Sequence, residues 1–245
     1  MTGDRSQANE QPVAVWIIDL DERTPVGRDR DALTELDRAQ ASRLHDTVAG
    51  ARLTARRSAT RSIIGETLGI APRDVTIHRR CPTCGSEDHG RPYVVGAPLN
   101  FSVSSSAEMA AVATSDGTVG VDLEIVVPHI EPSTIGLTTT EQQHLETLPF
   151  DARARSFVRL WTVKEAVLKS CGLSLADDPA SIDATNVLTR SSFTVYCDGA
   201  DRLVRQWTLN DRSEREVILT IASSKDGPVN WHGLPASVPF DPQLH

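Results

Sequence analysis

Residues 119–124 read Val-Gly-Val-Asp-Leu-Glu, and this stretch decides how the second half of the chain is organised. Side chains alternate along a β-strand, so the two valines and the leucine share one face while Gly120, Asp122 and Glu124 share the other. Two carboxylates on one strand face can bind a hard cation, and Mg²⁺ accepts one or two protein carboxylates together with water and phosphate oxygens. Taken alone, an Asp-x-Glu pair is more often an ordinary solvated strand face.

A second informative stretch lies at 157–171, where the residue spacing predicts a helix. Trp161, Glu165 and Lys169 stand at positions i, i+4 and i+8 and therefore line one side of that helix. An exposed ion pair beside a packing aromatic residue would explain this row by itself. If the helix lies beside the strand, Glu165 can supply a third carboxylate and Lys169 a cation that faces phosphate.

The surrounding elements alternate between strand and helix patterns in both halves of the chain. Apolar runs predict strands at 13–18, 75–78, 100–104, 109–114, 119–127, 193–197, 203–209 and 216–223. Helices are predicted at 32–45, 49–68, 140–148 and 151–171, and the loop 81–98 is dense in Gly, Pro and Asp. Asp116-Gly117 predicts a hairpin between the strands at 109–114 and 119–127. The plan is α+β, with helices packed on an antiparallel sheet in each half.

These patterns divide the chain into four segments. We expect a disordered N-terminus at 1–11, an α+β half at 12–117, a second half with the carboxylate motif at 118–230, and a tail at 231–245. The N-terminus lacks the apolar core of a secretion signal, and no apolar run approaches the roughly 20 residues that a membrane helix needs. We therefore expect a cytoplasmic protein that does not contact membranes.

The combination V-G-V-D-x-E followed by W-T-x-K-E-A-x-x-K resembles the signature of the 4′-phosphopantetheinyl transferases. It is similar to the larger, surfactin-synthetase-activating type, whose single chain contains two similar halves. The resemblance implies a pseudo-twofold pair of α+β halves with coenzyme A in the cleft between them. It also implies a Mg²⁺ ion, with Mn²⁺ left open as an alternative, whose ligands are Asp122, Glu124 and Glu165.

Further motifs match the same family. Gly90-Arg91-Pro92 resembles the element whose basic residue contacts coenzyme A, and 101–106 resembles the strand F-N-x-S-H-S, with Ser102 in place of the asparagine and Ser105 in place of the histidine. A serine cannot bring the positive charge that the histidine would. The coenzyme A contacts that the resemblance implies are Arg43, Arg52, Arg91, Ser104, Ser105, Lys164 and Lys169.

The resemblance also implies the reaction of a holo-[acyl-carrier-protein] synthase. A serine hydroxyl of an apo acyl or peptidyl carrier protein attacks the phosphorus that bears the pantetheine arm, and 3′,5′-ADP leaves. Glu165 or Glu141 takes the serine proton, and Lys169 stabilises an oxygen of the diphosphate. Such carriers serve fatty acid, polyketide and nonribosomal peptide synthesis, including secondary metabolites. Contact with the carrier is expected to be transient, and the enzyme a monomer, since two halves can build the cleft alone.

Composition and cysteine spacing leave three alternatives to this interpretation. The net charge of −8 argues against nucleic-acid binding, although Arg52, Arg56, Arg57 and Arg61 form a local basic cluster that could bind phosphates. Cys81, Cys84 and His89 suggest zinc, but a structural zinc site normally needs four ligands in two spaced pairs. The serine at the motif histidine position is compatible with a non-catalytic interaction protein that keeps the fold.

Overall fold

The computed structural model describes residues 12–21, 30–44, 47–87, 90–129, 131–174 and 177–233. Its strands are β1 (Val13–Asp19), β2 (Ile77–Arg80), β3 (Arg91–Val94), β4 (Asn100–Ser106), β5 (Met109–Ser115), β6 (Val119–Ile125), β7 (Ser192–Cys197), β8 (Ala200–Asn210), β9 (Glu216–Ser223) and β10 (Val229–His232). Its α-helices are α1 (Glu35–Ser42), α2 (Val48–Leu68), α3 (Thr139–Thr147) and α4 (Phe150–Cys171). The predicted disordered segment at 1–11 and most of the predicted tail lie outside the described residues.

Most strands belong to two four-stranded sheets. The first sheet has the order β10-β1-β5-β4, the second has the order β6-β9-β8-β7, and β2 and β3 form a separate ribbon. All pairings are antiparallel except that of β1 with β10, which is parallel. The predicted α+β class is therefore confirmed.

The two sheets face each other, and each carries a long helix on its outer side. Val119, Val121 and Leu123 of β6 pack with residues of β1, β5 and β9 in a core between the sheets. The outer face of the first sheet packs against α2, and the outer face of the second packs against α4. The predicted alternation along β6 is confirmed, because its other face meets α4.

Helix boundaries follow local capping signals. Thr47 caps α2 by accepting a hydrogen bond from the Gly50 N–H, and Gly69 ends the helix in the left-handed conformation. Thr138 and Glu141 form a capping box at the start of α3. The predicted helix at 32–45 is shorter than expected, since α1 covers only Glu35–Ser42.

The predicted hairpin at Asp116-Gly117 is wrong. β5 already pairs with β1 on one edge and with β4 on the other, so no edge remains for β6, which pairs with β9 in the second sheet. The segment that contains Asp116-Gly117 therefore crosses from one sheet to the other, and the actual tight turn is at Ala107 and Glu108, between β4 and β5. The strand β3 was not predicted, and it lies inside the predicted loop 81–98.

The last described strand returns to the first half of the molecule. β10 pairs with β1, with Val13 opposite Val229 and Trp16 opposite His232, and the Trp16 and His232 rings stack at 4.6 Å. The predicted boundary at residue 230 thus falls inside a strand of the first sheet. No helix among the described residues combines the length and apolarity needed to cross a membrane.

Candidate active site

The candidate active site forms where α4 crosses the outer face of β6. Gly120 makes this close approach possible, because a Cβ at this position would lie 2.0 Å from the Ala166 carbonyl oxygen and 2.6 Å from the Ser170 nitrogen. Both atoms belong to the backbone of α4. The absence of a side chain at Gly120 therefore lets α4 bring Glu165 and Lys169 beside Asp122, two residues further along the strand.

Lys169 links the two acidic elements. Its Nζ lies 2.6 Å from Asp122 Oδ1 and 3.5 Å from Glu165 Oε2. Glu124 lies on the same face of β6 as Asp122, and its Oε2 accepts a hydrogen bond of 2.8 Å from Ser106. The structure thus brings together the four residues that the sequence singled out on β6 and α4.

Burial and crowding shift the pKa values in this group. Burial raises the pKa of Glu165, an effect that Lys169 opposes and Asp122 strengthens. Burial and the charge of Asp122 likewise raise the pKa of Glu124. Burial works against the charge of Lys169, but Asp122 and Glu165 outweigh it and raise the pKa of the ammonium. Lys169 is therefore a permanent cation at physiological pH.

The donor set fits a magnesium ion. Among the described residues, Asp122 Oδ2 and Glu165 Oε1 are buried carboxylate oxygens without a hydrogen-bond partner, and leaving such atoms bare is costly. Within the described ranges, no group of three or more His, Cys, Asp and Glu side chains is arranged to enclose a metal ion by itself. Mg²⁺ does not need such an enclosure, because substrate phosphates and water complete its octahedron around the carboxylates that it binds.

A cavity of about 1070 Å³ adjoins this group, and its wall includes Glu165 and Lys169. The wall is formed by residues of both halves, in agreement with a ligand site between them. It is rich in cations, since it also contains Arg56, Arg57, Arg61, Arg79 and Arg91.

These arginines are only partly neutralised by the protein. Arg61 pairs with Asp37 at 2.7 Å, and Arg57 lies 3.4 Å from the same carboxyl group. Burial lowers the pKa of Arg56, and repulsion from Arg57 and Arg79 adds to the effect. A bound phosphate would relieve this repulsion and accept charge-assisted hydrogen bonds.

Ser105 stands where the family histidine was expected, and the side chain of Arg56 lies beside it. The Arg56 guanidinium donates a 2.6 Å hydrogen bond to Ser105 Oγ. Arg91 lies in the cavity wall as predicted, and it donates a 2.8 Å hydrogen bond to Asn100. Arg56 was predicted only as part of a basic cluster, whereas Arg52 on the same helix was predicted to contact coenzyme A.

The structure does not bring Arg43 or Arg52 to the cavity. Arg52 lies 2.6 Å from Asp21 and 3.6 Å from Glu108, and these carboxylates satisfy its charge. Arg43 is exposed and is not part of the cavity wall. Their expected contacts with coenzyme A are therefore not supported by the geometry.

Glu141 and Lys164 do not reach the site either. Both side chains are fully buried, and Lys164 Nζ lies 2.8 Å from Glu141 Oε2. The same carboxylate accepts hydrogen bonds from the backbone of Thr138 and Ala184. A carboxylate held in this way cannot take a proton from a substrate, so the expected roles of Glu141 as a base and Lys164 as a cofactor contact are corrected to a structural one.

This buried pair leads to a stability prediction. Lys164→Met leaves the Glu141 carboxylate buried without its cation, so the free energy of unfolding should fall by about 3–5 kcal/mol. Adding Glu141→Gln in the same chain removes the unpaired charge and should restore part of the loss. Urea unfolding of both variants measures the effect, and an unchanged midpoint for Lys164→Met would contradict the structural role.

The cysteines provide no support for a zinc site. Among the described residues, Cys81 and Cys84 belong to no group of three or more possible metal ligands. His89, the third residue considered, lies outside the described residues. Cys197 is buried in the core beneath α4, and Cys171 packs partly against that core.

Comparison with known proteins agrees with this geometry. Residues 118–222 match the profile of the 4′-phosphopantetheinyl transferase superfamily. The chain is 30% identical over 173 residues to 4′-phosphopantetheinyl transferase HetI of Nostoc sp., which covers 67% of this chain and 70% of the relative. It is 29% identical over 106 residues to a Bacillus subtilis 4′-phosphopantetheinyl transferase, covering 40% of this chain and 46% of the relative. It is 33% identical over 103 residues to 4′-phosphopantetheinyl transferase AcpT of Salmonella typhimurium, covering 40% and 53%.

The matched segments contain the elements that build the site. The profile match at 118–222 includes β6 and α4, and thus Asp122, Glu165 and Lys169. Because the Nostoc relative is also matched over 70% of its own length, this chain belongs to the 4′-phosphopantetheinyl transferase superfamily.

Proposed function

We propose that this chain transfers the 4′-phosphopantetheine arm of coenzyme A to a serine of an apo carrier protein, with Mg²⁺ bound by Asp122, Glu124 and Glu165. One observation carries the metal assignment. The buried, unpartnered oxygens of Asp122 and Glu165 lie beside Lys169, next to an arginine-lined cavity. A helix on a four-stranded sheet in each half further supports the larger, two-halved type of enzyme.

The arginines bind and orient the anionic cofactor. Coenzyme A carries a diphosphate and a 3′-phosphate, so Arg56 and Arg91 can each donate to phosphate oxygens from the cavity wall. Lys169 stays protonated and donates to the diphosphate at the reacting phosphorus. When bound, Mg²⁺ supplies charge neutralisation at the diphosphate.

The acceptor serine needs a base, and the geometry favours one of the two acids considered. Glu141 is fully buried in an ion pair with Lys164, whereas Glu165 is part of the cavity wall. We assign the serine proton to Glu165. The carrier partner docks transiently on a monomeric enzyme, and its serine enters beside α4.

The direct test is the intact mass of an apo carrier domain after incubation with the protein, coenzyme A and Mg²⁺. A gain of one phosphopantetheine group that EDTA abolishes supports both the transfer and its metal dependence. Acyl, peptidyl and polyketide-type carriers are tested in parallel, because the pathway is not fixed by the site. A folded protein that modifies none of them in the presence of Mg²⁺ contradicts the proposal.

Two arginines on α2 provide a matched pair for the cofactor site. Arg56→Ala removes a partly buried cation from the cavity wall, and the KM for coenzyme A should rise by about tenfold or more. Arg52→Ala removes a cation one helical turn away that is already paired with Asp21, so KM should stay within about twofold. Steady-state kinetics with varied coenzyme A measure both. Equal effects of the two substitutions would contradict the placement of the phosphates.

A further inference from the structure

Serine side chains join the two sheets along β4 and β6, which are edge strands of different sheets. The Ser102 hydroxyl accepts a 3.0 Å hydrogen bond from the Val121 N–H, and the Ser106 hydroxyl accepts one of 3.3 Å from the Ile125 N–H. These hydroxyls satisfy backbone donors of β6 on the edge that none of the described strands covers. The serine hydroxyls thus replace the backbone carbonyls that a neighbouring strand would offer to β6.

Ser104 and Ser106 on β4 also contact the acidic pair of β6. Ser104 Oγ donates a 2.7 Å hydrogen bond to Asp122 Oδ1, and Ser106 Oγ donates one of 2.8 Å to Glu124 Oε2. The two serines and the two acids can pair in this way because residues two apart on a strand point to the same face. The spacing between Ser104 and Ser106 therefore equals the spacing between Asp122 and Glu124.

Ser104 fixes the rotation of the Asp122 carboxylate. Oδ1 accepts from both Ser104 and Lys169, whereas Oδ2 has no partner among the described residues. Lys169 Nζ also lies 3.4 Å from Ser104 Oγ, so the hydroxyl can accept from the ammonium while it donates to the carboxylate. Because both hydrogen bonds are made to Oδ1, the orientation of the carboxylate is fixed and Oδ2 is available to a metal ion.

We propose that Ser104 and Ser106 are positioning residues that hold Asp122 and Glu124 for the metal. This inference rests on the proposed function, since it assigns the serines to the same magnesium site. Groups that orient metal ligands commonly change metal affinity by 10- to 100-fold when they are removed. Ser102 differs from the other two, because its hydroxyl bonds only to the backbone of β6 in the contacts described above.

The test uses Mn²⁺ as the probe, with its dissociation constant measured on the full chain by electron paramagnetic resonance. Ser104→Ala should weaken Mn²⁺ binding by about tenfold or more with little change in Tm, and Ser104→Thr, which keeps a hydroxyl, should recover most of the affinity. Ser102→Ala should lower Tm by roughly 3–6 °C, because a buried N–H loses its partner, while the Mn²⁺ affinity stays at the wild-type value.

The outcomes separate this inference from the proposed function when wild-type carrier modification is assayed alongside. If the wild-type protein binds Mn²⁺ and modifies a carrier while Ser104→Ala binds Mn²⁺ equally well, the positioning role is overturned and the function stands. If Ser104→Ala and Ser102→Ala weaken Mn²⁺ binding to the same extent, the effect is merely structural and the inference fails. A wild-type protein that neither binds Mn²⁺ nor modifies any carrier overturns both.

Discussion

Glu165→Gln is expected to reduce carrier modification by at least about 100-fold in kcat/KM while the protein remains folded. The substitution keeps the size of the side chain but removes a negatively charged oxygen from beside Asp122 and Lys169. Burial raises the pKa of Glu165 even with the Lys169 ammonium 3.5 Å away, so the ionised carboxylate costs the metal-free protein stability. The Tm measured without metal should therefore be no lower than that of the wild type.

Two measurements separate loss of function from loss of fold in this variant. Intact-mass kinetics with saturating Mg²⁺ give kcat/KM, and thermal unfolding in EDTA gives the Tm. Glu146→Gln, at an exposed position on α3, serves as the matched control and should retain wild-type activity. If Glu165→Gln kept more than about a tenth of the activity, the proposed role of Glu165 in the reaction would be contradicted.

Gly120→Ala is expected to lower the free energy of unfolding by about 3 kcal/mol. The added methyl group would stand 2.0 Å from the Ala166 carbonyl oxygen, and a backbone atom cannot rotate away as a side chain can. The clash can be relieved only if α4 moves away from β6. That movement separates Glu165 and Lys169 from Asp122, so activity should fall further than the unfolded fraction explains.

Urea unfolding and activity measured on the same sample test this prediction. Gly96→Ala is a useful control, because Gly96 has a φ of 76° but no atom within 4 Å of an added Cβ. The control should lose roughly 1–2 kcal/mol from backbone strain alone and keep its activity once folded. If Gly120→Ala kept both stability and activity, the close approach of α4 to β6 would not be what assembles the site.

The sequence predicted which faces of β6 and α4 the acidic residues occupy, because that information is local. Alternation along β6 and the i, i+4 spacing along α4 determine which faces Asp122, Glu165 and Lys169 occupy. The cofactor contacts were less predictable, since the availability of an arginine depends on partners distant in the chain. Arg52 was the predicted contact on α2, but Asp21 neutralises it, whereas Arg56 donates a hydrogen bond to Ser105 in the same wall region.

Long-range pairing also explains which predictions about the fold were wrong. Asp116-Gly117 has the composition of a hairpin turn, but β4 occupies the edge of β5 that β6 would need. Glu141 and Lys164 look like an acid and a base available for chemistry. Only the packing of α3 against α4 makes them a buried pair. Each error concerns a partner that local spacing does not encode.

The parallel pairing of β10 with β1 has a consequence for how the chain folds during synthesis. β1 is the first described strand to be made, and β10 is made after all strands of the second sheet. The ribosome therefore releases β1 long before its outer neighbour exists, and until then one edge of the first sheet is exposed to misassembly. Closure of that edge joins strands distant in sequence, so we expect it to be a late and slow step of folding.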